Sequence, residues 1–378
     1  MTADTTALRR HLAEQIQAGN PALGPEWRAA VEAVDRDLFL GPAVYRPDNT
    51  RWQPVRRAEL SRQEWQRLAY TDRTWVTQVD NLNAEDAPGP VTGNPTSSAT
   101  LPSLVVRTLQ AAGLRGGEKV LEIGTGTGYS TAILCHRLGE DHVISIEYDT
   151  SLAASAAAHL TAAGYAPALV TGDGLQGYKE QAEYDAIVAT CAVRSIPAPW
   201  LWQLAERGTI TTTLSGWMLA SGLIRLTLDD QDIAHGRFLP DTISYMLARS
   251  HERPPQPVFL RQDGEARPTQ VDPALLDVWA GHFVAQLAAP SATLMHSSSG
   301  VVLWDVATGS QAWTEENDNG WTVHQHGPLR LRDQVEAALQ TWQAAGAPEL
   351  TEFGMTATAE RQTIWLGSPD GPRWHLPV

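Results

Sequence analysis

The chain has 378 residues, 43% of them hydrophobic, and its 43 acidic and 28 basic side chains give a formal net charge of -15. That length supplies about two to three domains with a sizeable core. So acidic a balance argues against a nucleic-acid partner, whose phosphates most of the surface would repel.

Taken in chain order, "TTALRRHLAEQIQAG" places Leu8, Leu12 and Ile16 four apart and predicts a short amphipathic helix ending at Gly19. "GPEWRAAVEAVDRDLFLGP" predicts a second helix, opened by Pro25 and stopped at Gly41-Pro42. From there to about residue 100 the pattern is loop-rich, with Trp52, Trp65 and Trp75 pinning the loops to the core.

Residues 103–250 alternate short apolar runs with helical stretches: "SLVVRTLQAAGL", "KVLEI", "STAILCHRLG", "HVISIEY", "SLAASAAAHLTAAG", "APALVTGDG", "EYDAIVAT", "APWLWQLAE" and "GTITTTL". Alternation of this kind predicts a doubly wound parallel sheet. "GLIRLTLDD" and "TISYMLARS" lack an intervening helix, so the final strands are expected to be antiparallel. "HERPPQPVFLRQDGEARPTQ" reads as a linker. Beyond it lie seven of the fourteen tryptophans, a helix near 331–345 and strands "VVLWDV" and "QTIWLG", a small α+β module. The expected division is therefore 1–102, 103–250 and 251–378. Exposed tryptophans of the last part are expected to grip a substrate, with a buried tryptophan core as the alternative.

Cys135 and Cys191 are the only cysteines and form no Cys-x-x-Cys pair, which predicts reduced thiols. No apolar signal core opens the chain and no run of about 18 apolar residues occurs, so a cytoplasmic protein without a membrane partner is expected. His282, His296, His324 and His326 are scattered, "HQH" has no further ligands at zinc spacing, and no metal is expected.

The chemistry concentrates in "VLEIGTGTGYS", residues 120–130. A glycine turn between a strand and a helix brings backbone N–H groups and a helix N-terminus against a ligand. Glu122, two residues before Gly124, would face a pyrophosphate badly and an ammonium well. Glu147 lies about 20–25 residues past the turn, where an acid holds ribose hydroxyls, and Asp173 ends the third strand within reach of an adenine. S-adenosylmethionine, with an ammonium, a sulfonium and no phosphate, suits this ordered set of acids and glycines. The alternative is a turn that is merely tight and acids that are merely solvated.

These residues resemble the class I methyltransferases, and among them the protein-L-isoaspartate O-methyltransferases. "VDRDLF" resembles that family's Pro-Arg-x-x-Phe element, with Asp35 in place of proline before Arg36, and "TSSATLPS" resembles its hydroxyl-rich substrate loop, with Thr100 at the serine position. The likeness covers about residues 25–250. The whole-chain pattern, including the tryptophan-rich tail, looks closer still to the methyltransferases that accompany ATP-grasp maturases of ribosomal peptides (graspetides). The resemblance implies a class I (Rossmann-like) α/β fold with an N-terminal helical and loop extension. It also implies methylation of an aspartate in a cross-linked peptide, the ester then collapsing to an aspartimide. Repair of isoaspartyl protein is the alternative within the class, and a non-catalytic scaffold that retains the cofactor is the alternative outside it.

The candidate cofactor residues are Glu122, Gly124, Thr125, Gly126, Gly128, Tyr129, Glu147, Tyr148, Asp173 and Gly174, with S-adenosylhomocysteine as product. Ser97, Ser98 and Thr100 are the candidate catalytic hydroxyls, and Arg36, Thr77, Gln78 and Thr190 the candidate substrate contacts. Several carry a second reading: "TSSATLP" as a helix cap, Arg36 as a helix-end ion pair, Tyr129 as filling, Thr190 as a strand cap. An aspartate is ionised near neutral pH, its reference pKa being about 3.9, so its attack on a sulfonium methyl needs alignment rather than a base.

Overall fold

The computed structural model describes residues 4–240, 243–255, 259–297, 300–318 and 320–377. Two compact units emerge, one of residues up to Thr190 with Gln203–Thr211, the other of Cys191–Trp202 with Thr212 onward. This replaces the three-way division at 102 and 250.

In the first unit, α1 (Thr6–Gly19) buries Leu12, Ala13 and Ile16 and packs on α2 (Pro25–Ala33). The second helix stops at Ala33, well before Gly41. Asp35 ends it by starting a 3-10 turn over Arg36–Phe39, its carboxylate accepting from the Asp37 amide at 3.2 Å. The same carboxylate accepts from Thr5 Oγ1 at 2.9 Å and from the Tyr70 hydroxyl.

The stretch expected to be loop-rich is an antiparallel sheet. It contains β1 (Ala43–Asp48), β2 (Arg51–Arg56), α3 (Arg62–Ala69), β3 (Trp75–Val79), β4 (Leu82–Asn83) and β5 (Pro95–Ala99). The strand order is β2-β1-β3-β4, and β5 pairs with β3. Pro47, Pro54 and Pro95 interrupt the strands, and β5 meets β3 through register shifts, so no clean alternation marks them in sequence. Trp65 and Trp75 are buried, as expected of pins.

The parallel layer follows the expected alternation. It runs α4 (Pro102–Ala111), β6 (Val120–Ile123), α5 (Tyr129–Leu138), β7 (Val143–Glu147), α6 (Thr150–Ala163), β8 (Ala168–Thr171) and β9 (Tyr184–Val193). The strands lie in the order β9-β6-β7-β8, all parallel, with Val120 opposite both Val143 and Ala186. The chain moves outward from β6 to β8 and then returns to the other side of β6. Ligands of such sheets bind beyond the carboxyl ends of the strands at that reversal.

In the second unit, α7 covers only Ala198–Trp202, shorter than the helix expected over "APWLWQLAE". The following strand, β10 (Leu204–Ser215), crosses the unit boundary as β9 does. The final strands are antiparallel, as expected, although "TISYMLARS" is not one of them. Its Thr242 lies outside the described residues, and among the described residues of 243–250 strand pairing is confined to the isolated bridge Ala192–Leu247. The partner of β11 (Ser221–Leu228) is instead β12 (Ala234–Phe238). There Gly236 is required, since a Cβ would stand 1.9 Å from the Arg225 carbonyl oxygen.

A second sheet contains β13 (Glu265–Thr269), β14 (Ala292–Ser297), β15 (Gly300–Asp305), β16 (Gln311–Asn317) and β17 (Gly320–His326), in the order β13-β17-β16-β15-β14. The expected linker 251–270 thus supplies β13; its residues 256–258 lie outside the described residues. The unit includes α8 (Trp279–Ala288) and α9 (Leu331–Ala344), the latter where the periodicity put it. Two further strands, β18 (Phe353–Ala357) and β19 (Gln362–Leu366), then continue from β12 to β20 (Arg373–His375).

None of the seven tryptophans beyond residue 270 is exposed, which corrects the expectation of a gripping aromatic surface. Trp313, 5% exposed, is instead stacked on His324 with ring centroids 5.1 Å apart. Among the described residues no helix is long and apolar enough to cross a membrane.

Candidate active site

The turn after β6 has Gly124, Gly126 and Gly128 at φ of +96°, +55° and +91°, the left-handed region that favours glycine. The amides of Gly124 and Thr125 both donate to the Ile146 carbonyl, at 2.9 and 3.1 Å. A Cβ on Gly126 would find nothing nearer than the Ser98 carbonyl oxygen at 4.0 Å, so the turn faces open space below β5. Gly128 ends the turn as the N-cap of α5.

The acids arrange themselves around this turn in two ways. Glu147 fixes it: one carboxylate oxygen accepts from the Gly126 amide at 2.8 Å and the other from the Asp149 amide at 3.0 Å. Asp173 lies half-buried beyond β8 and accepts from the Leu175 amide at 3.0 Å. The next residue, Gly174, lies so close to β6 that a Cβ would stand 2.4 Å from Ile123 Cγ2. Tyr148 is 53% exposed beside Glu147.

Glu122 behaves differently from expectation. It is fully buried rather than open at the turn: one oxygen accepts from the hydroxyls of Thr131 (2.5 Å) and Ser145 (2.7 Å), while Oε1 is buried without a hydrogen-bond partner among the described residues. Burial pushes its carboxyl above the ordinary value, against the pull of the neighbouring hydroxyls. Thr125 is buried as well, its hydroxyl 2.7 Å from that of Ser145.

The hydroxyl cluster divides by the alternation of β5. Ser97 points inward and accepts from Thr77 Oγ1 at 3.1 Å. Ser98 and Thr100 are half-buried, with their hydroxyl oxygens 3.4 Å apart. None of these caps α4. Leu101 is its N-cap residue, and the orphan amides of Leu101 and Ser103 donate to Thr74 Oγ1 (3.1 Å) and Asp72 Oδ1 (2.9 Å).

Arg36 is 1% exposed and does not reach solvent, which corrects both its substrate reading and its ion-pair reading. Its Nη1 donates to the carbonyls of Ala69 and Thr71, both at 2.8 Å. Its Nη2 donates to those of Arg73 (2.8 Å), Ala99 (3.3 Å) and Thr100 (3.2 Å). Burial lowers its pKa to about 10. Its Cζ lies 5.9 Å from the ring centroid of Tyr129, which is itself buried and packs edge-on against Phe39.

Gln78 is also buried rather than open to a substrate. It donates to Asp149 Oδ2 at 3.0 Å and accepts from Thr96 Oγ1 at 2.8 Å, tying the antiparallel sheet to the start of α6. Thr190 caps the carbonyls of Gly124 (2.5 Å) and Ile123 (3.2 Å), its strand-capping alternative. Asp149 and Asp72 escaped the sequence reading. Asp149 had a signal, since an aspartate directly before "TSLAAS" is an N-cap pattern, and it accepts from the Ser151 and Leu152 amides.

Residues 55–215 match the family model of protein-L-isoaspartate(D-aspartate) O-methyltransferase. The protein-L-isoaspartate O-methyltransferase of Ignicoccus hospitalis is 43% identical over 133 residues, 35% of this chain and 62% of its own length. Protein-L-isoaspartate O-methyltransferase 2 of Anaeromyxobacter sp. is 38% identical over 157 residues, 41% of this chain and 57% of its own. The chain spans about three fifths of the length of these two relatives. With protein-L-isoaspartate O-methyltransferase 1 of Rhodopseudomonas palustris the identity is 38% over 170 residues, 43% of this chain and 68% of that protein. The chain belongs to the protein-L-isoaspartate O-methyltransferase family.

A solved structure of a protein-L-isoaspartate O-methyltransferase shares the class I fold, with a TM-score of 0.56 and 18% identity over 95% of this chain and 100% of its own. Asp35 starts the turn that places Arg36, and Thr100 carries one of the carbonyls that Arg36 holds.

Two outcomes are expected. Lysine has no fork to reach five carbonyls, so Arg36→Lys lowers the unfolding free energy by about 2–4 kcal/mol; a denaturation midpoint equal to wild type contradicts this. For Glu122, the unfolded chain ionises at the ordinary value while the folded chain still holds its proton. Wild-type stability therefore falls relative to Glu122→Gln as pH rises from about 4 toward 7. Urea midpoints of the two proteins across that range should diverge with rising pH; parallel curves refute it.

Proposed function

We propose that the chain is an S-adenosylmethionine-dependent O-methyltransferase of a peptide side-chain carboxylate. The observation that carries this is the pair of half-buried hydroxyls on Ser98, in the strand that overlies Gly126, and Thr100, just past its end. The residues around the turn fit the cofactor. Segments 120–130, 147–149 and 171–175 contain acids and neither lysine nor arginine, which suits a cationic ligand and opposes a pyrophosphate. Gly126 supplies open space, Tyr148 an exposed ring, and Glu147 and Asp173 place carboxylates at the ends of neighbouring strands, the positions from which acids hold ribose and adenine.

S-adenosylmethionine, when bound, supplies an electrophilic methyl. The chain's own residues supply position. Ser98 and Thr100 donate to one oxygen of the substrate carboxylate, leaving the other free to attack in line. Arg36 fixes the carbonyls of Ala99 and Thr100 and so the height of both hydroxyls. In the product ester, the backbone nitrogen of the next residue attacks the carbonyl carbon, methanol leaves, and a five-membered succinimide closes. That step asks little of the protein.

For the substrate, we infer an aspartate of a ribosomally made, side-chain-cross-linked peptide, with aspartimide as end product. The support is the resemblance of the whole chain to the methyltransferases of ATP-grasp peptide maturation. Isoaspartyl repair has its own support. The relatives bear that name, and the chain covers in full a solved family structure whose match includes 95% of this chain. The C-terminal residues therefore do not count against repair.

Mass spectrometry with S-adenosylmethionine and three peptides (linear aspartyl, isoaspartyl and cross-linked) separates these readings. Gain of one methyl followed by net loss of water, only on the cross-linked peptide, is the expected result. Methylation of the isoaspartyl peptide alone makes the protein a repair enzyme, and no methyl gain on any peptide makes it a scaffold. In the same assay, joint replacement of Ser98 and Thr100 by alanine should lower kcat/KM about 10–100-fold with little change in melting.

A further inference from the structure

Arg194, just beyond β9, is half-buried in the second unit, and its Cζ lies 3.8 Å from the ring centroid of Trp217. Its Nη2 donates to the Pro290 carbonyl at 2.9 Å. Among the described residues, Nε and Nη1 have no acceptor and no carboxylate pairs with the group. Its surroundings are fixed: the Arg194 amide donates to His251 Nδ1 at 3.1 Å, and Trp217 Nε1 donates to the His251 carbonyl at 3.0 Å.

Arg194 lines a shallow, open cleft whose walls include Leu214, Leu287, Pro290 and Leu376. Two polar side chains in the lining, Ser215 and Gln286, are already engaged. Gln286 both donates to and accepts from the Ala220 backbone, at 2.8 and 3.2 Å, and Ser215 Oγ donates to the Ala220 carbonyl at 3.3 Å. Gly216 keeps Gln286 there, since a Cβ would stand 2.7 Å from its Cδ. The unused donors belong to the arginine.

A guanidinium lying over an indole keeps the N–H groups of its own plane accessible; Pro290 takes one Nη2 hydrogen, and the other, with Nε or Nη1, still forms an edge that receives both oxygens of a carboxylate. Partial burial without a counter-charge costs hydration that such a ligand restores. The same burial lowers the arginine's pKa. The apolar walls favour an aliphatic neighbour over a bare ion.

We propose that the Arg194 cleft binds a carboxylate of an acidic peptide, as a second anchor that does not include the Ser98 and Thr100 hydroxyls. This rests on the reading that the protein's ligand is a carboxylate-bearing peptide. The carboxylate has two sources, an acidic side chain or the peptide's C-terminus.

The test is fluorescence anisotropy without methyl donor, so its outcome is independent of turnover. Four rhodamine-labelled peptides rich in leucine are compared: one aspartate with a free C-terminus, the same peptide amidated, its asparagine version, and the amidated asparagine version. Wild type should bind at least one carboxylate form about tenfold or more tighter than the carboxylate-free peptide, and Arg194→Gln should abolish that preference. Loss on asparagine substitution assigns the side chain, and loss on amidation assigns the C-terminus. Should R194Q fail to fold, Arg194→Lys keeps the charge without the fork and should still lose about threefold or more of the preference. Equal binding of all four peptides by wild type, or an undiminished preference in the folded variant, overturns the proposal.

Discussion

Arg36 carries a buried positive charge balanced by main-chain dipoles: three carbonyls of the 69–73 turn and two at the end of the strand Pro95–Ala99. The two terminal nitrogens of the planar fork reach all five acceptors, two from Nη1 and three from Nη2, which a single ammonium cannot. The strand it holds needs such an anchor, because its pairing with Trp75–Val79 is broken by register shifts. The same guanidinium lies near Tyr129, the first residue of the helix that follows the glycine turn. One side chain therefore relates the hydroxyl strand to the turn beneath it. Asp35, which starts the 3-10 turn carrying Arg36 and ties it to Thr5 and Tyr70, belongs to the same assembly.

The turn itself is organised from within by carboxylates. Glu147 holds the Gly126 amide, a donor that a phosphate-binding turn would leave for its ligand. Glu122 sits fully buried behind, braced by hydroxyls. Glu147 thus places negative charge where dinucleotide sites have open donors, and the site lies where the parallel sheet reverses its strand order. Ser98 and Thr100 face it with neutral donors. This division suits a reaction whose nucleophile is already charged and whose electrophile is a cation.

The parallel layer was legible because its strands are continuous apolar runs and its helices end in glycine. "KVLEI", "HVISIEY" and "EYDAIVAT" all became strands, and Glu122 and Glu147 near the ends of the first two border the site. The antiparallel sheet was hidden by its prolines and by strands that bury only part of their length, as Ala43–Asp48 does. Which acids stay open was not legible either. Glu122 and Glu147 are both strand acids of a glycine-turn motif, and only packing against Thr131 and Ser145 distinguishes them. Arg36 shows the limit most clearly: a lone arginine in "VDRDLF" cannot announce acceptors that lie 33 to 64 residues away.

A crystal structure with S-adenosylhomocysteine and an aspartyl peptide tests the central claim most directly. The substrate carboxylate is predicted to lie within about 3 Å of both Ser98 Oγ and Thr100 Oγ1, with Arg36 still on its five carbonyls. A carboxylate bound elsewhere, with water on both hydroxyls, would contradict the account.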